Sequence, residues 1–277
     1  VKCGNKIVIF TNNDSAYETA IDLHNKGVKV QGIIDIRENS SGDLPKKCNL
    51  LGIKNYWKYT IISSTGHKQV KNVSIMKLSK DNSSVVGEKI NLDCDAVAMS
   101  GGWTPAVHLF TQSGGKLDFN NKNLCFYPKK INQDQISIGS CNGTFGLNNI
   151  INESMENTIQ YLDQKYEEKI KIDESAEGNF ENVWLLPSNK TLGKTKPFID
   201  FQNDVTAKDI KLALREGYKS IEHVKRYTTT GMATDQGKIA NMHVLGIVSE
   251  TTNTKMGSLG TTTFRPPYTP LTFGAIV

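Results

Sequence analysis

The sequence has few cysteines, and none of them are paired in a short motif. Its 277 residues contain five cysteines and no Cys-x-x-Cys pair, the five being Cys3, Cys48, Cys94, Cys125 and Cys141. A zinc or iron–sulfur site needs several thiolates or histidines at characteristic spacings. An odd number of scattered cysteines is typical of free thiols in a reducing compartment. We therefore expect a cytoplasmic protein without a metal site.

The sequence also lacks a long apolar run and a dense region of one charge. No stretch approaches the ~20 apolar residues that a membrane helix needs. The net charge of +5 is scattered over the chain, whereas nucleic-acid binders concentrate basic residues on one face. Hydrophobic residues make up 38% of the chain, which suffices for a globular fold. We expect neither a membrane nor a nucleic acid as a partner.

The two ends of the sequence are abrupt. Val1 leads almost directly into a strand-like segment, with no signal peptide before it, and the chain ends in apolar residues up to Val277. Together these features predict a fragment that is truncated at both ends.

Residues 6–36 follow the order strand, helix, strand. Lys6 to Thr11 and residues 28–36 predict buried strands, and residues 14–26 predict a helix that ends at Gly27. This order is typical of doubly wound, dinucleotide-binding domains. Later patterns predict a small inserted antiparallel meander over 59–64, 68–79 and 88–94, short strands over 96–100 and 136–139, and a helix over 147–166. Near the C-terminus, Thr206 and Asp209 predict a helix that starts with a capping box, and a further helix is predicted over 235–249. The sequence therefore predicts an incomplete α/β fold of the FAD/NAD(P)-binding, two-dinucleotide-domain type.

The turn after the first strand contains no glycine. Dinucleotide-binding turns use glycines so that the backbone can approach a pyrophosphate at a helix N-terminus. Here the turn reads Thr11-Asn12-Asn13-Asp14-Ser15-Ala16, and the Asp14 carboxylate should repel a phosphate. Asp35, at the end of the second strand, is a weaker candidate for a ribose ligand. The pattern favours an α/β domain that has kept its shape and lost its nucleotide.

Two later loops have the form of cofactor loops. The first runs from Met99 to Pro105 and contains Gly101-Gly102, and the second runs from Ile138 to Leu147. A helix starting near Gly146 would offer free N–H groups and the positive end of its dipole. In flavoprotein reductases with two dinucleotide domains, equivalent loops close over the first domain's cofactor. Ordinary tight turns remain the alternative.

Phe198 to Ala240 resembles the small helical domain that holds a two-iron cluster in bacterioferritin-associated ferredoxin. The matching stretches are Val205-Thr206, Val224-Lys225-Arg226 and Gly231-Met232. The four ligand positions of that domain fall at about Asp200, Gln202, Asp235 and Ala240. None of these residues is a thiol, so we expect the fold without an iron–sulfur cluster.

A basic, hydroxyl-rich turn remains in this helical part. Its members are Lys225, Arg226, Thr228, Thr229, Thr230 and Gly231, with Lys238 nearby. Cationic side chains, hydroxyls and backbone N–H groups suit a phosphate. A salt-bridged helix end with capping threonines is the alternative. No residue in the chain has the pattern of a general base or a nucleophile, so we predict no catalytic residue.

Four stretches resemble the alpha subunit of heterotetrameric sarcosine oxidase. They are VIFTNNDSAY, SGGWTPAVHLFTQSGG, DFQNDVTAKDIKLALREGYKSIEHVKRYTTTGMATDQGK and GTTTFRPPYTP. The resemblance covers nearly the whole chain. It implies an oxidoreductase that demethylates sarcosine to glycine, with oxygen as acceptor, and forms hydrogen peroxide and methylene-tetrahydrofolate. It also implies beta, gamma and delta subunits as partners, and that this chain alone is inactive.

The resemblance also implies which residues meet cofactors. Lys225 to Lys238, with Arg265, would form the alpha side of an FMN site shared with the beta subunit. NAD would touch Asn142, Gly143, Phe145, Gly146 and Leu147. Tetrahydrofolate would bind through a C-terminal domain that lies outside this sequence.

The pattern divides the chain into four predicted parts. They are a partial FAD/NAD(P)-binding domain over 1–168, a linker over 169–196, a small helical domain without a cluster over 197–250, and an exit segment over 251–277. Two alternatives for function stay open. One is a subunit of a related amine or opine dehydrogenase, and the other is a non-catalytic scaffold.

Overall fold

The computed structural model describes residues 3–130, 133–163, 165, 169–174, 178–188, 190–266, 268–269 and 271–275. Packing divides the chain into two compact units. Unit 1 contains Val1–Trp103 and Asp173–Asn189, and unit 2 contains Thr104–Ile172 and Lys190–Val277. The four predicted domain ranges are a different division of the chain and stay a prediction.

Unit 1 is built on a parallel sheet, and its first βαβ unit confirms the sequence pattern. The elements are β1 (Lys6–Thr11), α1 (Ser15–Asn25) and β2 (Lys29–Asp35). Strands β3 (Asn55–Trp57) and β7 (Ala96–Ser100) complete the sheet in the order β3-β2-β1-β7, with parallel neighbours. One face buries Ile7, Ile9 and Ile33 against α1. The residues between them in each strand are buried on the other face of the sheet, because successive side chains of a strand point to opposite sides.

An antiparallel sheet is inserted before the last parallel strand, as predicted. It consists of β4 (Tyr59–Gly66), β5 (Val70–Leu78) and β6 (Val85–Asp93) in that order. Its Val73 and Ile75 pack against Val8 and Ile34 of the parallel sheet. Sequence analysis did not identify helix α2 (Leu44–Leu50), which carries the buried Cys48, or the three-residue strand β3. Both elements are too short to show a periodic pattern.

The first part of unit 2 differs from the prediction. It contains α3 (His108–Gln112), a hairpin of β8 (Lys116–Asn120) and β9 (Cys125–Lys130), and α4 (Leu147–Tyr161). The strand predicted over 136–139 is wrong. A 3-10 turn occupies Gly139–Asn142 instead, because Gly139 adopts a φ of 71° and its N–H donates to the Glu153 carboxylate. Helix α4 ends at Tyr161, and the predicted end at Tyr166 lies outside the described residues.

The second part of unit 2 is helical, as predicted. Its elements are α5 (Leu192–Thr195), β10 (Phe198–Asp200), β11 (Val205–Thr206), α6 (Ala207–Arg215), α7 (Ile221–Thr228), α8 (Asn241–Thr252), α9 (Met256–Leu259) and a 3-10 turn at Phe273–Ala275. Thr206 and Asp209 form the predicted capping box of α6. Helix α8 starts six residues after the predicted Asp235, because Gln236 and Gly237 take positive φ angles of 53° and 73°. The buried core of this helical part includes Ile210, Val224 and Leu245. No helix in the described ranges is long and apolar enough to cross a membrane.

Candidate functional site

The cleft at the carboxyl ends of β1 and β2 contains a buried ionic triad. The Arg37 guanidinium lies 2.8 Å from the Asp14 carboxylate and 2.7 Å from that of Asp35. All three residues are buried, and Arg37 and Asp35 are fully so. Burial alone would lower the pKa of Arg37, but the two carboxylates outweigh burial and raise it. The charge of Arg37 is therefore compensated by two carboxylates of the chain itself.

This pairing bears on both nucleotide candidates of the first turn. Asp35 receives hydrogen bonds from the Tyr17 hydroxyl, at 2.9 Å, and from Arg37. Asp14 accepts the Ser40 hydroxyl at 2.8 Å. Both carboxylates are therefore committed to partners within unit 1. The geometry favours an α/β domain without its nucleotide over the ribose-ligand alternative for Asp35. Sequence reasoning missed Arg37, because no short motif marks it.

The five residues predicted to contact NAD lie together between the 3-10 turn and α4. Asn142 donates to the Glu153 carboxylate at 2.7 Å, and Gly143 and Gly146 adopt φ angles of 81° and 85°. The Phe145 carbonyl accepts the Asn149 side chain, and Leu147 begins the 15-residue helix α4. This helix has no side-chain cap. Its N-cap residue, Gly146, has no side-chain oxygen that could cap the first turn.

Several of the predicted phosphate-binding cations lie along one stretch of the exit segment. Lys225 donates to the Thr263 carbonyl at 3.2 Å, and Lys238 donates to the Tyr268 carbonyl at 2.8 Å. Arg265 lies close enough to Lys225 to affect its titration. We call Lys225, Arg226 and Arg265 the cationic face, with Lys238 at its edge.

The cationic face carries more positive than negative charge. Glu222 is the carboxylate that meets it, through the backbone N–H of Thr263 and through Arg226, whose Nη2 lies 3.4 Å away. Burial lowers the pKa of Lys225; Glu222 opposes that shift, and Arg265 and Arg226 add to it. Among the described residues, the three cations of this face, one of them the partly buried Lys225, are thus opposed by Glu222. Such an arrangement would be stabilised by an anion.

The turn that follows Arg226 is held internally. The Thr228 hydroxyl donates to the Val224 carbonyl at 2.8 Å, and Thr229 adopts a φ of 61°. The Gly231 N–H donates to the Asp200 carboxylate at 2.7 Å. Thr230 is buried, and no partner of its hydroxyl lies among the described residues. The backbone of this turn is therefore less available to a ligand than the sequence suggested, whereas the cations are accessible.

The four positions matched to cluster ligands converge in space. Asp200, Gln202, Asp235 and Ala240 line one small pocket of about 50 Å³, together with Ile199, Phe201 and Ile239. Asp200 accepts the N–H groups of Gln202, Asn203 and Gly231. The Gln202 side chain bonds the Thr234 hydroxyl and the Asp235 N–H. Side-chain hydrogen bonds thus connect the two turns at this place. Within the described ranges, no group of histidines, cysteines or carboxylates is arranged to hold a metal.

His108 is a further unusual residue of unit 2, and sequence analysis did not identify it. Its ring lies 4.0 Å from that of Phe264 and 5.4 Å from that of Tyr268, measured between centroids. Neither ring nitrogen has a hydrogen-bond partner among the described residues. Burial, and secondarily the charge of Lys238, lowers the pKa of His108 to about 4. The imidazole is therefore neutral at physiological pH.

The sequence is similar to that of sarcosine oxidase alpha subunits. Residues 194–277 match the model of the sarcosine oxidase A3 domain. The chain is 33% identical to the sarcosine oxidase alpha subunit of Rhizobium meliloti (strain 1021), over 99% of this chain and 26% of the relative. It is 29% identical to the alpha subunit of Corynebacterium sp. (strain P-1), over 100% of this chain and 29% of the relative.

A solved structure supports the fold. The crystal structure of L-proline dehydrogenase from P. horikoshii matches 99% of this chain and 50% of its own, with a TM-score of 0.62 and 17% identity. At that identity the match concerns the fold alone. The chain spans between a quarter and a third of the length of the two curated relatives. The domain model matches residues 194–277, and the similarity to the two alpha subunits extends along nearly all of this chain. The chain therefore belongs to the sarcosine oxidase alpha-subunit family.

Proposed function

We propose that this chain forms the alpha-subunit side of a flavin site in a sarcosine oxidase complex, and that the cationic face holds the phosphate of FMN. The observation that supports the proposal most strongly is the excess of positive charge around Lys225. Arg226 and Arg265 act on it with positive charge, and among the described residues Glu222 is the carboxylate that opposes them. Membership of the family makes a flavin the expected anion.

The residues present fit a phosphate group. Arginine and lysine form strong, charge-assisted hydrogen bonds with phosphate oxygens. Lys225 and Lys238 now donate to neutral backbone carbonyls of the exit segment, so a doubly charged group would be a stronger acceptor for both. The lowered pKa of Lys225, caused by burial and by neighbouring cations, would return toward its ordinary value beside an anion.

The role of these side chains is to bind and orient. A bound flavin would supply the redox chemistry, by receiving electrons released in amine oxidation and passing them to oxygen. The planar guanidinium groups of Arg226 and Arg265 offer several N–H donors that suit the oxygens of a phosphate. We assign no catalytic acid, base or nucleophile to this chain.

The loop that precedes α4 is proposed as the NAD side of the subunit. Asn142 to Leu147 would present the N-terminal end of α4 to a phosphate of the dinucleotide, since the helix dipole favours negative charge there. The rest of the activity is proposed for the whole complex. It comprises sarcosine demethylation, hydrogen peroxide formation, folate use and assembly with beta, gamma and delta subunits.

Flavin analysis of the assembled complex tests the phosphate assignment. The double variant Lys225→Ala, Arg226→Ala should lower the FMN content per complex, measured after release by chromatography. The matched control is Lys208→Ala, Arg215→Ala, which removes two exposed cations from α6 and should retain the flavin. Unchanged FMN content in the first variant would remove the phosphate site from this turn.

A further inference from the structure

The cleft of unit 1 is filled by a distant part of the same chain. Residues 178–181, Gly-Asn-Phe-Glu, lie at the carboxyl ends of β1 and β2, and we call them the strap. In open α/β sheets this edge is where ligands bind. The strap comes from residues that the composition predicted to be a linker. It belongs to unit 1, although the chain before and after it belongs to unit 2.

Side chains of the cleft mainly contact backbone groups of the strap. The Gly178 N–H donates to the Asp14 carboxylate at 2.8 Å. The Asn179 carbonyl accepts Arg37 Nη1 at 2.7 Å, and the Glu181 carbonyl accepts the Asn12 side-chain amide at 2.8 Å. The side chains that follow the first strand, together with the arginine of the ionic triad, therefore bind peptide groups.

One side chain of the strap is also anchored. The Glu181 carboxylate accepts Lys58 Nζ at 3.1 Å and the Asn82 amide at 2.7 Å. Lys58 is itself buried, with its side chain 8% exposed. A buried ammonium needs a partner, so this contact stabilises the seated strap and the base of the inserted sheet together.

Gly178 allows the close approach. A Cβ at this position would lie 2.1 Å from the Ser40 hydroxyl oxygen and 2.7 Å from a carboxylate oxygen of Asp14. Neither distance is compatible with a carbon atom, so a larger residue requires the strap or the side chains of Ser40 and Asp14 to shift. The site is therefore shaped for a peptide backbone that begins with glycine.

We infer that this cleft is a peptide-binding site, and that its ligand is the chain's own strap in the place where related sheets hold a dinucleotide. Asp14 and Asp35 carry two negative charges against the one positive charge of Arg37. That balance suits the N–H of a peptide and opposes a pyrophosphate. The strap fastens this stretch of the predicted linker to unit 1. Any nicotinamide dinucleotide that the protein binds does so with the strap in place.

Hydrogen exchange of the full protein tests this inference. The Gly178 amide should exchange slowly in the wild type, because its N–H donates to the buried Asp14 carboxylate. The variant Gly178→Val should raise its exchange rate by about tenfold or more, since local opening governs exchange. The matched control is Gly193→Val, because a Cβ at Gly193 meets no atom within 4 Å. Unchanged exchange in β5, which carries the buried Val73 and Ile75 of unit 1, shows that the variant is still folded.

A second variant and a ligand complete the test. Glu181→Gln removes the charge that holds Lys58 and should give a smaller rise than Gly178→Val. Millimolar NAD added to the wild type should leave the exchange of residues 178–182 unchanged. The inference is overturned if Gly178→Val exchanges no faster than Gly193→Val, or if NAD accelerates exchange at the strap. The second result would identify the strap as a lid over a working nucleotide site.

Discussion

The cleft of unit 1 and the cationic face of unit 2 are both candidate phosphate sites with charged residues. They differ in how far nearby carboxylates compensate the positive charge. In the cleft, Arg37 is paired with Asp14 and Asp35. On the cationic face, three cations, Lys225, Arg226 and Arg265, are opposed among the described residues by Glu222. The difference teaches that the number of basic residues in a motif says little about binding. Whether their charge is compensated by the chain itself is decisive.

The largest expected effect comes from breaking the compensated side. Arg37→Ala leaves Asp14 and Asp35 buried without a cation, and removing one partner of a buried ion pair costs about 3–5 kcal/mol. Denaturant unfolding should record that loss of stability. Arg215→Ala is the control, because its pair with Glu216 is exposed and such pairs contribute about 0–1 kcal/mol. A loss equal to that of the control would mean that the triad is not the structural centre of the cleft.

The second largest effect concerns the turn beside the cationic face, and it compares the contribution of this turn to stability with that of the cleft. Asp200→Ala removes the acceptor of three backbone N–H groups and should reduce the unfolding free energy by about 1–3 kcal/mol. Asp134→Ala, at an exposed position, should have little effect.

The pH dependence of the Asp200 variant follows from its hydrogen bonds. Burial would raise the pKa of Asp200, but the N–H groups of Gly231, Asn203 and Gln202 outweigh burial and lower it. A carboxyl with a lowered folded-state pKa stabilises the protein above its unfolded-state pKa. That stability is lost as the pH falls through the folded value. Asp200→Ala should therefore unfold with a weaker dependence on acid pH than the wild type, and an unchanged dependence would contradict this role.

The smallest effect concerns His108, which lies next to Lys238 at the edge of the cationic face. Its folded pKa of about 4 lies below the ordinary value of 6.5, so the unfolded chain binds more protons between these pH values. Stability should fall as the pH drops from 6.5 toward 4, by up to about 1.4 kcal/mol per pH unit.

The variant His108→Phe should weaken this dependence and leave stability at pH 7 equal or higher, because its ring nitrogens have no partner to lose among the described residues. Thermal unfolding at pH 7 and pH 5 measures both effects. His223→Gln is the control, because His223 is exposed. A clear loss of stability at pH 7 would indicate that the His108 ring nitrogens have a partner that the protein chain does not supply.

Local signals in the sequence predicted much of the fold. The strands at Lys6–Thr11 and Lys29–Asp35 follow from apolar runs, and the α6 capping box follows from Thr206 and Asp209, three residues apart. The strand predicted over 136–139 was wrong because an apolar run does not specify a neighbouring strand. Here Gly139 turns the chain and bonds to Glu153 instead.

The contacts that define the sites were less predictable, because they join residues far apart in the sequence. Gly178 and Asp14 are separated by 164 positions, and the strap has the composition of a linker. Lys225 and Lys238 could be proposed from the basic turn itself. That Gly231 donates to Asp200, and is not a free donor, depended on the fold of the helical part.

The most direct test of the cationic face is a structure of the assembled complex with its flavin bound. The account predicts the FMN phosphate within hydrogen-bonding distance, about 3 Å, of Lys225 Nζ and of the guanidinium of Arg226 or Arg265. A flavin phosphate bound elsewhere, with these three side chains facing only solvent, would contradict it.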